Sequence, residues 1–183
     1  MSRYKSMTQF PLPIPESYWV IPARFLTSEY PGAHNTDKTA RRIDSFLEAG
    51  IDTFIDLTRP SELAPYLPVL HERAGYYGRE ARYFNFPIRD HDVPSHEQMT
   101  AILNRIDALL AEGHNFCVHC WGGVGRTGMV VGCYLIRHGH TPAAALAQIA
   151  EWWRDDPRRS FYPSSPETAE QTQFILNWRD AVK

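Results

Sequence analysis

The sequence predicts an α/β fold with a central, mainly parallel sheet flanked by helices. Two patterns carry that expectation. Short apolar or alternating runs take turns with longer segments of helical character along the chain, as strand–helix–strand crossovers require. Late in this series, "TGMVVGCYLIRHG" is apolar on nearly every side, so it belongs at the centre of the molecule, enclosed by other elements. The composition agrees: 43% of the 183 residues are hydrophobic and 22% are charged, which suits one folded domain and not a disordered chain. A formal net charge of −2 argues against nucleic acid as a partner. No apolar run reaches the roughly 20 residues needed to span a bilayer. Pro11, Pro13 and Pro15 interrupt any apolar signal core at the N-terminus. The expectation is a cytoplasmic protein with neither nucleic acid nor membrane as partner.

Residues 1–16 read as an arm, mobile or loosely docked, and 17–183 as a single domain. "SYWVIPARFL" reads as two short strands broken by Pro22, and "SEYPGA" as a turn. "NTDKTARRIDSFLEAG" is a helix in which Asn35 or Thr36 caps the start. Ile43, Phe46 and Leu47 share one face, and Gly50 stands at the end. "IDTFIDL" is a buried strand, and "TRPSELAPYLPVLHERAG" is a proline-interrupted connection with some helix. "ARYFNFPI" alternates as a strand, and "RDHDVPS" is a loop. Ser95 then caps the helix "HEQMTAILNRIDALLAEG", which Gly113 ends. "NFCVH" is a short apolar strand that runs into a glycine-rich loop and the enclosed helix. "TPAAALAQIAEWWRDD", with Pro142 tolerated in its first turn, and "SPETAEQTQFILNWRDAV" are the last helices.

The chemistry concentrates in "VHCWGGVGRTG". A strand, a tight glycine loop and a helix starting near Gly125 aim backbone N–H groups and a helix N-terminus at one point. Gly122, Gly123 and Gly125 let the chain curl, and Arg126 adds a fork of donors matched to two phosphate oxygens. An ATP-binding loop, G-x-x-x-x-G-K-[ST], is the obvious competitor. Its first glycine would fall at Cys120 and its lysine at Arg126, which disfavours it. Cys120 therefore sits at the focus of an anion cradle that stabilises a thiolate as it would a phosphate. A thiolate below a phosphorus atom is aligned for in-line attack when the amides from Trp121 through Gly122, Gly123, Val124 and Gly125 to Arg126 hold the oxygens. Thr127 is placed to donate its hydroxyl to the sulfur when that sulfur leaves. His119 should point away from the cradle by strand alternation and brace the loop.

Other candidates have plainer readings. Three cysteines make no disulfide scaffold, and reduced thiols are the default in a reducing compartment. Cys117 reads as core. With Cys120 it forms a C-x-x-C, so a reversible disulfide is the second reading, although such motifs normally open a helix. Cys133 reads as packing. His91, Asp92 and His96 match no tight ligand pattern, and neither metal nor other cofactor is expected. Trp152, Trp153, Tyr66, Tyr76 and Tyr77 read as core or ordinary surface.

"HCWGGVGRT" resembles the signature H-C-x5-R-[ST] of the cysteine-dependent protein tyrosine and dual-specificity phosphatases. "RDHDVPS" is similar to the family's acid loop, W-P-D-x-x-x-P, with Asp90 and Pro94 at matching spacing. Ile88 and Arg89 stand where that loop has tryptophan and proline, as in the smaller dual-specificity and kinase-associated members. "ETAEQTQF" resembles the glutamine segment Q-T-x-x-Q-x-x-F, with Gln171 at the second glutamine and Glu167 in place of the first. "SYWVIPARFLTSEYPG" and "FIDLTRPSEL" look like the opening strands and the D-L-[TR] segment of compact bacterial-type members, so the resemblance runs over residues 17–178. Low-molecular-weight phosphatases carry the cysteine loop near the N-terminus with the acid downstream, the opposite order.

The resemblance implies a protein tyrosine phosphatase-like fold and no cofactor. It implies Asp90 as the group that protonates the leaving oxygen and then activates water, with Gln171 helping to place that water. The spacing to Pro94 favours Asp90 over Asp92. The implied partner is a phosphorylated protein or a small phosphate ester, phosphotyrosine first and phosphoserine or phosphothreonine beside it. Inositol phosphates are the second reading, disfavoured because Trp121 and Val124 stand where lipid-phosphate members often carry lysines. A phosphate-recognising binding module with little activity is the reading from another class, and the intact Cys120, Asp90 and Arg126 argue against it. A sulfurtransferase would need no acid loop.

Overall fold

The computed structural model describes residues 10–180. Pro22, Ala23 and Arg24 turn the chain between β1 (Ser17–Ile21) and β2 (Phe25–Ser28), which pair antiparallel. Every later strand is parallel to its neighbours. The chain runs through α1 (Thr36–Glu48), β3 (Thr53–Asp56), α2 (Leu67–Tyr76), β4 (Arg82–Asn85), α3 (His96–Glu112) and β5 (Phe116–His119). The sheet order is β1-β2-β5-β3-β4, so the last strand in sequence inserts between β2 and β3. Its four residues are all buried, which explains why "FCVH" shows no polar alternation. β4, at the sheet edge, is only partly buried: Tyr83 and Phe84 are half-buried and Arg82 and Asn85 exposed, so the expected alternation is not seen. The chain closes with α4 (Gly125–Arg137), α5 (Pro142–Trp153), a short 3₁₀ turn at Pro157–Ser160 and α6 (Ala169–Asn177).

The helix starts are set by side-chain caps. Asn35 Oδ1 accepts from the Lys38 N–H at 2.7 Å, and Ser95 Oγ from Gln98 N–H at 3.1 Å. Such caps contribute about 1 kcal/mol each. α6 starts later than the sequence pattern suggests, because Thr168 is its cap and forms a reciprocal capping box with Gln171.

Two cores form on the two faces of the sheet. α1 and α2 cover one, around Ile43, Phe46, Phe54, Leu70 and Cys117, and Ile14 of the segment before β1 is buried there. Residues 1–9 of the expected arm lie outside the described residues. The other core gathers α3, α5 and α6 around α4, with Ile55, Ile102, Val118, Met129, Ile149 and Ile175. α4 is buried from Gly125 to Leu135, as its all-round apolarity requires. At Gly132 a Cβ would come within 2.5 Å of Ile175 Cδ1, so glycine there lets α6 approach. Cys117 and Cys133 are packed in opposite cores, and burial pushes the Cys117 thiol up to about 12.

Candidate active site

β5 delivers His119 to the carboxyl end of the central strand, where ligand sites of open α/β sheets form. The chain then turns through Cys120 to Val124 into α4. Of the loop glycines, only Gly123 has a left-handed backbone, with φ 68°. A Cβ there would also overlap the Ser28 carbonyl and Arg158 Nη1. Gly123→Ala is therefore expected to cost at least about 2 kcal/mol, from backbone strain and overlap together. In a domain of this size the thermal midpoint falls by roughly 4–8 °C. A midpoint within 1 °C or so of wild type would contradict the packing described. Gly125 and Gly128 serve close approach instead of curvature: a Cβ would meet the Gln171 amide at 2.6 Å from the first and Ser165 Oγ at 2.5 Å from the second. Ser165 Oγ in turn donates to the Val124 carbonyl at 2.8 Å.

The loop is held from behind by a buried ion pair that carries no signal in the sequence. Asp156 binds the Arg158 guanidinium at both carboxylate oxygens, and Arg158 Nη1 donates to the Gly122 carbonyl at 3.1 Å. With its carbonyls so engaged, the loop leaves its N–H groups free. Among the described residues, no backbone N–H from Trp121 to Arg126 has a protein acceptor. These are the donors an oxyanion would take up.

Arg126 is almost wholly buried and fixed by a residue that sequence reasoning also missed. Glu62, in the loop after β3, accepts from Arg126 Nη2 at 2.7 Å and from Nη1 at 3.0 Å. Nη1 also donates to the Ile88 carbonyl at 3.1 Å, and Asp90 Oδ1 lies 3.0 Å from Nη2. Burial works against the guanidinium charge, but Glu62, Cys120 and Asp90 outweigh it and the Arg126 pKa is raised. Burial likewise opposes the Glu62 charge, and hydrogen bonds from Arg126 and the Arg59 N–H reverse the effect and lower its pKa. One donor of the fork, Nε, is buried without a partner among the described residues. So is the Thr127 hydroxyl, which α4 places next to Arg126.

His119 points to the face opposite the cradle, as strand alternation requires. Its Nδ1 lies 3.3 Å from the Cys120 carbonyl and its Nε2 2.6 Å from the Tyr66 hydroxyl. A carbonyl only accepts, so Nδ1 carries the proton and Tyr66 donates to Nε2. Burial holds the His119 pKa below its ordinary value, which keeps this neutral tautomer. Tyr66, read from sequence as core or ordinary surface, is core and also the brace of this histidine.

Cys120, 3% exposed, lies in a pocket of about 210 Å³. Trp121, Gly122, Val124 and Gly125 of the loop line it with Asp90, His91, Glu167 and Tyr162. Of the two acid candidates only Asp90 is in the pocket. Asp92 folds its carboxylate onto its own loop, accepting from the Val93 N–H at 2.8 Å. His91, with φ 60°, places Nε2 3.5 Å from Asp90 and Nδ1 3.7 Å from Glu167. Gln171 is not in the pocket wall. It is fully buried behind Gly125, where Oε1 accepts from the N–H groups of Glu167 and Thr168, and Nε2 donates to the Asp92 carbonyl at 3.4 Å. It ties the acid loop to the start of α6. Trp121, 54% exposed, forms the rim. Tyr162 carries no sequence signal and reaches the wall because the Trp153 indole donates to its carbonyl at 2.9 Å.

Comparison with known proteins fits this geometry. Protein tyrosine phosphatase domain-containing protein 1 of Mus musculus is 38% identical over 111 residues, which are 52% of this chain and 14% of the mouse protein. The chain thus spans about a seventh of that relative's length. The Arabidopsis thaliana protein named "Phosphatidylinositol 3,4,5-trisphosphate 3-phosphatase and protein-tyrosine-phosphatase PTEN1" is 27% identical over 137 residues, 72% of this chain and 31% of its own. The crystal structure of Tk-PTP in its active form superposes with a TM-score of 0.66 at 27% identity, over 88% of this chain and 94% of that one. Residues 15–175 match the family model PTP-SAK, described as "Swiss Army Knife protein, DSP-PTPase phosphatase domain". That match takes in all five strands and the whole cysteine loop, and the chain belongs to the cysteine-dependent protein tyrosine and dual-specificity phosphatase superfamily.

Proposed function

We propose that the chain hydrolyses phosphate monoesters in two steps through a phosphocysteine at Cys120, with phosphotyrosine in proteins as the leading substrate and phosphoserine or phosphothreonine beside it. The observation that supports this most is one pocket lined by Cys120, Asp90 and loop residues whose N–H groups are unpartnered, with the clamped Arg126 buried behind its wall and ion-paired with Asp90. The Cys120 thiolate attacks phosphorus in line while the loop amides and the Nε side of Arg126 hold the equatorial oxygens. Glu62 occupies one edge of the guanidinium, so phosphate takes the other, where Asp90 now sits. Phosphate thereby frees the Asp90 carboxyl to meet the leaving oxygen and donate its proton. Water then attacks phosphorus, Asp90 takes its proton, and the sulfur leaves as a thiolate that the idle Thr127 hydroxyl can turn to meet. The scheme uses no cofactor. The half-exposed Trp121 face at the rim suits an aromatic leaving group, and three unpaired thiols suit a reducing, cytoplasmic setting.

The acid role is tested by kcat/KM on substrates with different leaving groups. Asp90→Asn should lose about 10²- to 10³-fold on a phosphotyrosine peptide. The loss should be smaller on p-nitrophenyl phosphate, whose leaving group needs little protonation. Asp92→Asn should stay within a few-fold of wild type. The reverse pattern would move the acid to Asp92, and a wild-type chain that turns over no phosphate ester would return the protein to the binding-module reading.

A further inference from the structure

Trp121 and Asp90 form a wall shared by the phosphate pocket and a second, shallower depression of about 360 Å³. Across it lie Arg59 and Arg89, both exposed. Among the described residues, neither guanidinium has a hydrogen-bond or ion-pair partner, whereas the carboxylates beside them are engaged elsewhere: Glu62 holds Arg126, and Asp90 faces Arg126 until a phosphate displaces it and it carries the proton for the leaving oxygen. The backbones that carry the two arginines are fixed by the same clamp. Glu62 Oε2 accepts from the Arg59 N–H at 3.0 Å while it holds Arg126, and Arg126 holds the carbonyl of Ile88, the residue before Arg89. Two unpaired cations thus stand at fixed roots beside the place where the phosphate would bind.

We propose that Arg59 and Arg89 form a second anion site, which takes a phosphate or carboxylate carried by the same substrate molecule as the scissile phosphate. The proposal rests on the phosphatase reading and narrows it: preferred substrates carry a second negative group close to the one removed. Both arginines are solvated, so each contributes a modest, salt-screened attraction. Together they should give about a tenfold preference.

Affinity is measured in the Cys120→Ser background, where nothing turns over, with and without Arg59→Gln and Arg89→Gln together. One arm compares a phosphotyrosine peptide flanked by glutamates with the same peptide flanked by glutamines. The other compares an inositol bisphosphate with a monophosphate. The second anion should raise affinity about tenfold in at least one arm, and the double substitution should remove most of that gain. Added salt should shrink it. The arm that responds identifies the anion as carboxylate or phosphate. No gain in either arm, or a gain that survives the double substitution, would overturn the site. Turnover of p-nitrophenyl phosphate by the unmodified chain is measured separately, so a failure of the phosphatase reading is seen apart from a failure of the subsite.

Discussion

Replacing Cys120 by serine is expected to lower kcat/KM by at least about 10⁴-fold on any phosphate monoester while leaving affinity for inorganic phosphate within a few-fold of wild type. The expectation follows from separating the two functions of the loop. In the proposed scheme binding rests on the unpartnered N–H groups and on Arg126, none of which the substitution touches. In that scheme attack rests on the sulfur, and a serine hydroxyl here has no free base to take its proton: Asp90 must enter this step protonated, as the acid, and His119 lies on the far face, committed to Tyr66 and the Cys120 carbonyl. Sulfur to oxygen is a small change at a 3% exposed position, so the thermal midpoint should stay close to wild type. Steady-state turnover and phosphate titration check both halves. Retained turnover would remove Cys120 from the chemistry, and lost phosphate binding would show that the thiol shapes the cradle instead.

The second large effect is expected at Arg126→Lys, with kcat/KM lower by about 10³-fold and much of the loss in kcat. An ammonium keeps the charge but not the fork. It cannot span both Glu62 oxygens, donate to the Ile88 carbonyl and still present Nε and Nη2 to phosphate. Glu62 would be left partly unpaired, so a lower thermal midpoint should accompany the kinetic loss. Full activity in the lysine variant would mean that the site needs charge there and not the fork.

What the sequence disclosed and what it hid divide along a physical line. The strand–loop–helix of residues 116–137 is local: residue type and spacing place Cys120, Arg126 and the helix start within one short segment. Asp90 was legible by its spacing to Pro94, and its place in the pocket wall, opposite the self-bonded Asp92, supports that choice. Glu62 was hidden because its proximity to Arg126 depends on strand order. β5 inserts beside β3, so the loop that follows β3 ends next to the loop that follows β5. The Asp156–Arg158 pair was hidden because the sequence pattern carries the helix on to Asp156 and says nothing of Arg158, whereas the helix stops at Trp153 and a 3₁₀ turn folds Arg158 back under Gly122. The glycines were legible as a loop signal but not by role. Gly123 bends the chain, while Gly125 and Gly128 make room for Gln171 and Ser165, contacts made across long sequence separations.

The most direct measurement is to quench the enzyme rapidly during turnover of a ³²P-labelled phosphotyrosine peptide and locate the label by peptide mapping. The two-step scheme predicts a phosphoryl group on the peptide that contains Cys120, formed no later than the release of dephosphorylated peptide and absent from the Cys120→Ser variant. Label on another residue, or active turnover with no labelled enzyme under conditions where phosphocysteine survives the quench, would contradict it.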